Sequence, residues 1–244
     1  MSKVSVIVVA AGQSERFEGQ TKKPFASLDG RAMFLRSLEK FINREDVCQT
    51  QLVVSPADME EVKNRYGSNL AFMGVMLTEG GKERLDSVAA ALEKVADDAA
   101  LVAVHDAARP CVSDDMIDAV FSEAAKSGAA ILASPVTATL KRVSDAKVVD
   151  ETLDRAGIFE AQTPQVFKRE IIVEAYASRN EIKESVTDDS MLVERSGHPV
   201  AIVESDATNL KVTRRSDMPL ASAIIKSRPA KRVKKLGAFE EAQW

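Results

Sequence analysis

Cysteine is scarce in this chain: only Cys48 and Cys111 occur among 244 residues. Two thiols do not make the disulfide framework of a secreted protein, so both read as reduced and the chain as cytoplasmic. Histidine is equally scarce, and His105 and His198 are too few and too scattered for a zinc site. No apolar run approaches the roughly 20 residues of a membrane span. Met1-Ser2-Lys3 leads straight into a strand, leaving no room for a signal peptide. A positive excess is missing too. The formal net charge is −4, which argues against non-specific nucleic-acid binding by the body as a whole. What remains is an ordinary globular composition, 45% hydrophobic and 29% charged, at a length that suits one large α/β domain or one domain with an appendage.

The stretch from Val4 to Pro24 organises the rest. Val4 to Val9 is a β-branched run interrupted only by Ser5, followed by Ala10-Ala11-Gly12 and a polar segment carrying Arg16, Lys22 and Lys23. Such a run, ended by small residues, reads as a strand buried on both faces in the middle of a parallel sheet. The small residues let a ligand approach the backbone, and loop amides with nearby cations suit a polyphosphate. The pattern is neither G-x-x-x-x-G-K-[ST] nor G-x-G-x-x-G. A plain tight turn with a solvated lysine pair therefore stands beside the phosphate reading.

Beyond it, apolar spacing predicts a helix over 33–42, and Leu52 to Val54 reads as a strand. Ser55-Pro56 supplies an N-cap and N1 proline for a helix over 57–66, with Gly67 as its stop. Val75 to Leu77 is a short strand, Leu85 to Val95 a helix, and Leu101 to Val104 a buried strand running into His105-Asp106-Ala107-Ala108-Arg109-Pro110. Ser113 caps a helix from Asp114 to Lys126 that Gly128 ends, and Ala130 to Ala133 is a strand. After residue 136 the alternation breaks. Thr139 to Val143 and Lys147 to Glu151 read as a hairpin arm, about 137–154, leaving the body. An isolated ribbon is marginally stable in water and seeks a partner surface. Gly157 to Thr163, Val200 to Val203 and Leu210 to Val212 read as strands. Arg169 to Ala177, Asp189 to Arg195 and Asp217 to Ile225 read as helices. The fold class is α/β, a Rossmann-like, mostly parallel sheet flanked by helices, in one domain over 1–227. The basic tail, 228–244, reads as solvated and disordered.

Ligands of open parallel sheets bind beyond the carboxyl ends of the strands. That rule gathers Ala11-Gly12, Gly80-Gly81 and Asp106 to Arg109 on one rim. Paired glycines before a helix leave space for a flat base and free amides at the helix start. Arg84 falls in that helix's first turn, where a cation is unfavourable against the dipole, so it reads either as a ligand contact or as half of a salt bridge. Ser87 lies one turn on and could reach the same ligand. Asp106 can hold Mg²⁺ directly or through water, or can cap a turn.

With these residues in place, the chain resembles the 2-C-methyl-D-erythritol 4-phosphate cytidylyltransferase family of the non-mevalonate isoprenoid pathway. The resemblance runs from Val4 to Ile225. It rests on Ala10-Ala11-Gly12 with Arg16, Gly80-Gly81-Lys82-Glu83-Arg84 with Ser87-Val88, and Val104 to Pro110. Thr163-Pro164-Gln165, Thr187-Asp188-Asp189 and Asn209-Leu210-Lys211-Val212-Thr213 extend it. Ser14 stands where the family usually has glycine, and Lys22-Lys23-Pro24 replaces its Pro-Lys-Gln order. Phe25 and Leu28 match the family's aromatic and aliphatic positions, a register that selects Lys23.

The resemblance implies transfer of a cytidylyl group from CTP to methylerythritol phosphate, with pyrophosphate released. The nucleophile is a phosphate oxygen already charged at neutral pH, so no general base is required. Arg16, Lys23, Arg155 and Lys211 would be catalytic. Ala10, Ala11, Gly12, Gly80, Gly81, Arg84, Ser87 and Asp106 would bind the nucleotide. Asp106, Ala107, Arg109, Thr139, Arg155, Thr163, Thr187 and Lys211 would bind the acceptor, and Asp106 would lie near a Mg²⁺ ion. It also implies a nucleotidyltransferase-type fold and a homodimer that exchanges the β-arm, so that Thr139 and Arg155 serve the neighbour's site. A ribitol 5-phosphate cytidylyltransferase is the near alternative. A non-catalytic nucleotide-binding regulator is the distant one, and it would have no use for Arg16, Lys23 and Lys211.

Overall fold

The computed structural model describes residues 2–12, 17, 22–182 and 185–228. β1 (Val4–Val9) is central, hydrogen-bonded in parallel to a strand on each side. Its side chains alternate between two cores: Val4, Val6 and Val8 face one layer, and Ile7 faces the other. A strand walled by protein on both faces has no use for polar alternation, which is why this segment is apolar but for Ser5, whose buried hydroxyl donates to Gln49 Oε1 at 2.6 Å.

The chain continues through β2 (Ser27–Leu28) and β3 (Arg31–Ala32), a small hairpin, into α1 (Met33–Leu38), β4 (Val47–Val54) and α2 (Met59–Phe72). β5 (Val75–Glu79), α3 (Arg84–Leu92), β6 (Leu101–Asp106), α4 (Asp114–Ser127) and β7 (Ala129–Pro135) follow. After β7 come β8 (Leu140–Val143) and β9 (Val149–Leu153), then β10 (Phe159–Lys168), α5 (Arg169–Ala177), α6 (Asp189–Arg195), β11 (Ala201–Glu204) and α7 (Met218–Ser227). The seven-stranded sheet has the order β11-β7-β10-β6-β1-β4-β5. Only β10 runs against its neighbours. Phe34 of α1, Val62 and Leu70 of α2, and Ile117 and Val120 of α4 build the core on one face. Val88 of α3, Ile172 and Tyr176 of α5, and Leu192 of α6 build the other. A third cluster lies outside both, where Phe17, Leu28, Met33, Cys111 and Val212 pack with Ala221 of α7.

The helix signals around α4 hold in detail. The Ser113 hydroxyl accepts a hydrogen bond from the Met116 N–H, and Gly128 stops the helix with φ of 94°, a conformation an L side chain resists. α2 differs from its expected form. It starts after a 3₁₀ turn over Pro56–Asp58, and Ser55 donates to Asp58 Oδ2 instead of capping. It also runs straight through Gly67 to Phe72, because buried Leu70 holds the extra turn on the core and an interior glycine costs only about 1 kcal/mol. The stop is Gly74, at φ of 66°.

Two further corrections concern strands. Leu210 to Val212 forms no ladder; the segment is pinned by single bonds such as Val212 N–H to Ala108 C=O, 2.8 Å. The segment expected over 157–163 is the longer, antiparallel β10. β8 and β9 pair only with each other and form a separate two-stranded sheet between β7 and β10. No helix among the described residues is long and apolar enough to cross a membrane. Arg16, and the basic tail from residue 229 onward, lie outside the described residues.

Candidate active site

The carboxyl ends of β5, β4, β1 and β6 are neighbours in the sheet, so the turns that follow them share one rim. Short bonds fix the connections: Ala10 N–H to Val53 C=O, Gly80 N–H to Val54 C=O and Ala107 N–H to Val9 C=O. Between them is a cleft of about 130 Å³ lined by Val9, Ala10, Gly12, Lys23, Pro24, Arg84, Asp106, Ala107, Ala108 and Lys211. A larger groove of about 800 Å³ opens at the opposite end of the sheet, beside Ser2, Arg44, Asp46 and Phe121. The smaller cleft gathers the chemistry, because cations from three separate segments converge there on one carboxylate.

That carboxylate is Asp106, the last residue of β6. Lys211 Nζ lies 2.6 Å from its Oδ2, Arg109 Nε 3.8 Å from the same oxygen, and Arg84 Nε 3.8 Å from Oδ1. Burial pushes the Asp106 pKa up, but the charges of Lys211, Arg84 and Arg109 outweigh it and hold the carboxyl well below the usual carboxylate range. Asp106 is therefore an anion at any physiological pH. Burial pulls the Arg84 pKa down and Asp189 and Asp106 pull it up more strongly, so the guanidinium stays charged. Two buried donors, Arg84 Nη1 and Arg109 Nε, have no hydrogen-bond partner among the described residues.

The adjacent lysines are separated by their surroundings. Lys22 Nζ is paired with Asp58 Oδ1 at 2.6 Å, whereas Lys23 lines the cleft. Lys23 begins a 3₁₀ turn whose Pro24 and Phe25 are buried, and that anchorage orients the chain at the cleft mouth.

The paired glycines act differently from the expectation of free amides. Gly80 N–H is spent on Val54 and Gly81 N–H donates to Ser87 Oγ at 3.2 Å. Ser87 is fully buried and donates in turn to Glu83 C=O, so its hydroxyl shapes the turn and is not presented to the cleft. The glycines are required by space: a Cβ on Gly81 would stand 2.3 Å from Asp86 Cβ, and one on Gly80 2.6 Å from Ser87 Oγ.

His105 is also structural. Its ring nitrogens sit 3.1 Å from Thr163 Oγ1 and 3.1 Å from Arg109 C=O. Burial lowers its pKa to about 4, which leaves a neutral imidazole with both nitrogens engaged. Thr163 Oγ1 accepts from Asp106 N–H at 3.0 Å, which fixes the end of β6. Arg109 donates from Nη1 to the Asn209 C=O at 2.7 Å. The fully buried Asn209 side chain donates to Gln162 Oε1 and Thr163 C=O. This network carries Lys211 to Asp106. In the sequence Asn209 figures only as part of a motif and Gln162 only within an expected strand, because an amide gives no hint there of the contacts it will make.

Thr187 is exposed and its hydroxyl points to Met191 Sδ. Thr139 and Arg155 are exposed on either side of the β8–β9 ribbon. None of these three lines the cleft of the single chain.

A profile of the family described as IspD, 2-C-methyl-D-erythritol 4-phosphate cytidylyltransferase, matches residues 4–227. The chain belongs to this family. Among curated cytidylyltransferases of that name, the Rhodopirellula baltica protein is 42% identical over 233 residues, covering 91% of this chain and 94% of its own. That of Endomicrobium trichonymphae is 38% identical, covering 92% and 100%. The solved Thermus thermophilus 2-C-methyl-D-erythritol 4-phosphate cytidylyltransferase superposes with a TM-score of 0.77 at 32% identity, over 92% of this chain and 99% of that one. A cytidylyltransferase must bring a triphosphate and a phosphate monoester together.

Proposed function

We infer that this protein transfers a cytidylyl group from CTP to 2-C-methyl-D-erythritol 4-phosphate, releasing pyrophosphate. The observation that carries the reading is the convergence of Lys23, Arg84 and Lys211 on the Asp106 rim in a chain of this family. In the reaction an acceptor phosphate oxygen attacks the α-phosphorus, a new P–O bond forms, and the bond to the bridging oxygen of pyrophosphate breaks. The nucleophile is already an anion, so no side chain has to remove a proton. That agrees with a buried, neutral His105. Lys23 and Arg16 neutralise charge building on the α-phosphate and the departing pyrophosphate, and Lys211 draws the acceptor phosphate in beside Asp106. The Gly80-Gly81 turn and Arg84 hold the nucleotide.

Asp106 fits a divalent cation only in the company of the nucleotide. No group of three His, Cys, Asp or Glu side chains able to hold a metal occurs among the described residues. A single carboxylate with the remaining ligands from triphosphate oxygens and water is the usual setting for Mg²⁺. Bound there, the ion would offset negative charge on the triphosphate.

The exposed ribbon supports a homodimer. Val143, Val148 and Val149 on β8–β9, with Ile158 and Phe159 at its base, are exposed apolar side chains, and burial against a second copy would cover them. That arrangement would also give Thr139 and Arg155 a cleft to serve, in the partner. The scarcity of cysteine supports a cytoplasmic site. A pyrophosphate-release assay across nucleoside triphosphates and acceptors tests the function. Turnover with CTP and methylerythritol phosphate supports it, and a preference for ribitol 5-phosphate would replace the acceptor.

A further inference from the structure

Arg84 is the first residue of α3, where the helix dipole opposes a cation, and it faces Asp106 together with Lys211 and Arg109. Left to those forces, the guanidinium would swing onto Asp106. It does not, because a second carboxylate holds it. Asp189 Oδ2 accepts from Arg84 Nη2 at 2.6 Å, and the Asp189 side chain is 0% exposed. Its other oxygen accepts the hydroxyl of buried Tyr176. The position of Asp189 is itself fixed. Asp188 caps α6 by accepting from Met191 N–H, and Gln165 of β10 donates to Asp188 Oδ2 and accepts from Ser190 N–H. A sheet strand thus clamps the start of α6, α6 places Asp189, and Asp189 holds Arg84. The result is a guanidinium on the cleft wall, with Nε toward Asp106, Nη2 on Asp189, and Nη1 buried with no partner among the described residues. An unpaired buried guanidinium N–H is costly, and at a cleft wall a small shift of the side chain lets a ligand oxygen satisfy it.

We propose that Asp189 is the positioning residue for nucleotide binding: it holds Arg84 off Asp106 and keeps Arg84 Nη1 for an oxygen of bound CTP. The proposal rests on the reading of this cleft as the CTP site. Asp189 acts through Arg84 and touches no substrate.

The test is CTP binding by calorimetry, with kcat and KM measured in parallel on full-length protein. Asp189→Asn is close in shape but drops the charge. The expected result is CTP binding at least about tenfold weaker, the loss of a hydrogen bond to a charged group, with kcat at saturating CTP within about threefold. In the double variant Arg84→Gln/Asp189→Asn, CTP binds no more weakly than in Arg84→Gln alone, because the two residues act as one unit. A merely structural role predicts a normal CTP affinity in the folded fraction. Unchanged affinity in Asp189→Asn, or additivity with Arg84→Gln, overturns the proposal. If Asp189→Asn does not fold, Tyr176→Phe replaces it: weaker CTP binding supports the proposal and unchanged binding overturns it. Wild-type protein that binds CTP but releases no pyrophosphate with any acceptor would defeat the functional assignment while leaving the binding comparison able to decide the role of Asp189.

Discussion

Lys22 and Lys23 are adjacent in sequence but lie in different surroundings, and of the two only Lys23 lines the cleft. Lys22 is half-exposed and spent on buried Asp58, away from the cleft lining, so Lys22→Ala should leave turnover nearly unchanged. Lys23→Ala should lower kcat by about 10²-fold or more while CTP affinity falls far less, since a cation aimed at developing charge acts mainly in the transition state. Parallel kcat and dissociation-constant measurements check both; equal losses in kcat and affinity would mean ordinary ground-state binding. His105 makes a pH prediction. Its folded pKa of about 4 lies below its ordinary value, so below about pH 6.5 the unfolded chain takes up a proton that the folded chain refuses. Stability is then lost as pH falls from 6.5 toward 4, by about 1.4 kcal/mol per unit. Urea midpoints at pH 7 and pH 5 measure that slope, and His105→Gln should flatten it. Asp106 and Arg109 stand out in the sequence by their place after a buried strand, whereas Lys211 and Arg155 read as surface cations without the family resemblance. A hydroxyl such as that of Ser87 or Thr163 looks the same in a motif whether it meets a ligand or completes a turn.

At the level of elements, two glycines predict opposite outcomes. Gly81→Ala would place a methyl 2.3 Å from Asp86 Cβ, forcing the turn before α3 to shift and carrying Arg84 with it. It should cost about 1–3 kcal/mol of stability and weaken CTP binding. Gly67→Ala has nothing within 4 Å of its new methyl and lies inside α2, so it should raise stability by roughly 0.5–1 kcal/mol. Thermal melts of the two variants decide the signs. The same pair marks how far local signals reach. Ser113 and Gly128 bound α4 where the sequence says they should, since both ends carry their own chemistry. Gly67 reads as a stop because the tertiary packing of Leu70, one turn further along α2, cannot be seen from a glycine. The direction of β10 was equally hidden: a strand's own sequence does not say which way it runs, and the antiparallel pairing with β6 and β7 fixes it.

For the whole molecule, the exposed ribbon sets the expectation. Val143→Lys with Val149→Lys places charge on its apolar side chains. In sedimentation, wild-type protein should run as a dimer and the variant as a monomer. Turnover should fall while the melting temperature of the body stays close to wild type, since neither side chain belongs to the three buried clusters. A monomeric wild type with full turnover would remove the shared-site reading of Thr139 and Arg155. The alternating order of strands and helices made the layered body legible. The sequence already reads the ribbon as seeking a partner surface; what it cannot give is the exposure of Val143, Val148 and Val149.

β7 and β10 leave and re-enter the sheet as direct neighbours, so the chain between them is a detour whose ends are already joined by the ladder. Extra residues spliced between Asp145 and Ala146, at the tip, would lengthen that detour without altering any register behind it. A fluorescent or affinity tag carried there should leave the body intact and place the label on a projection that a second subunit would meet.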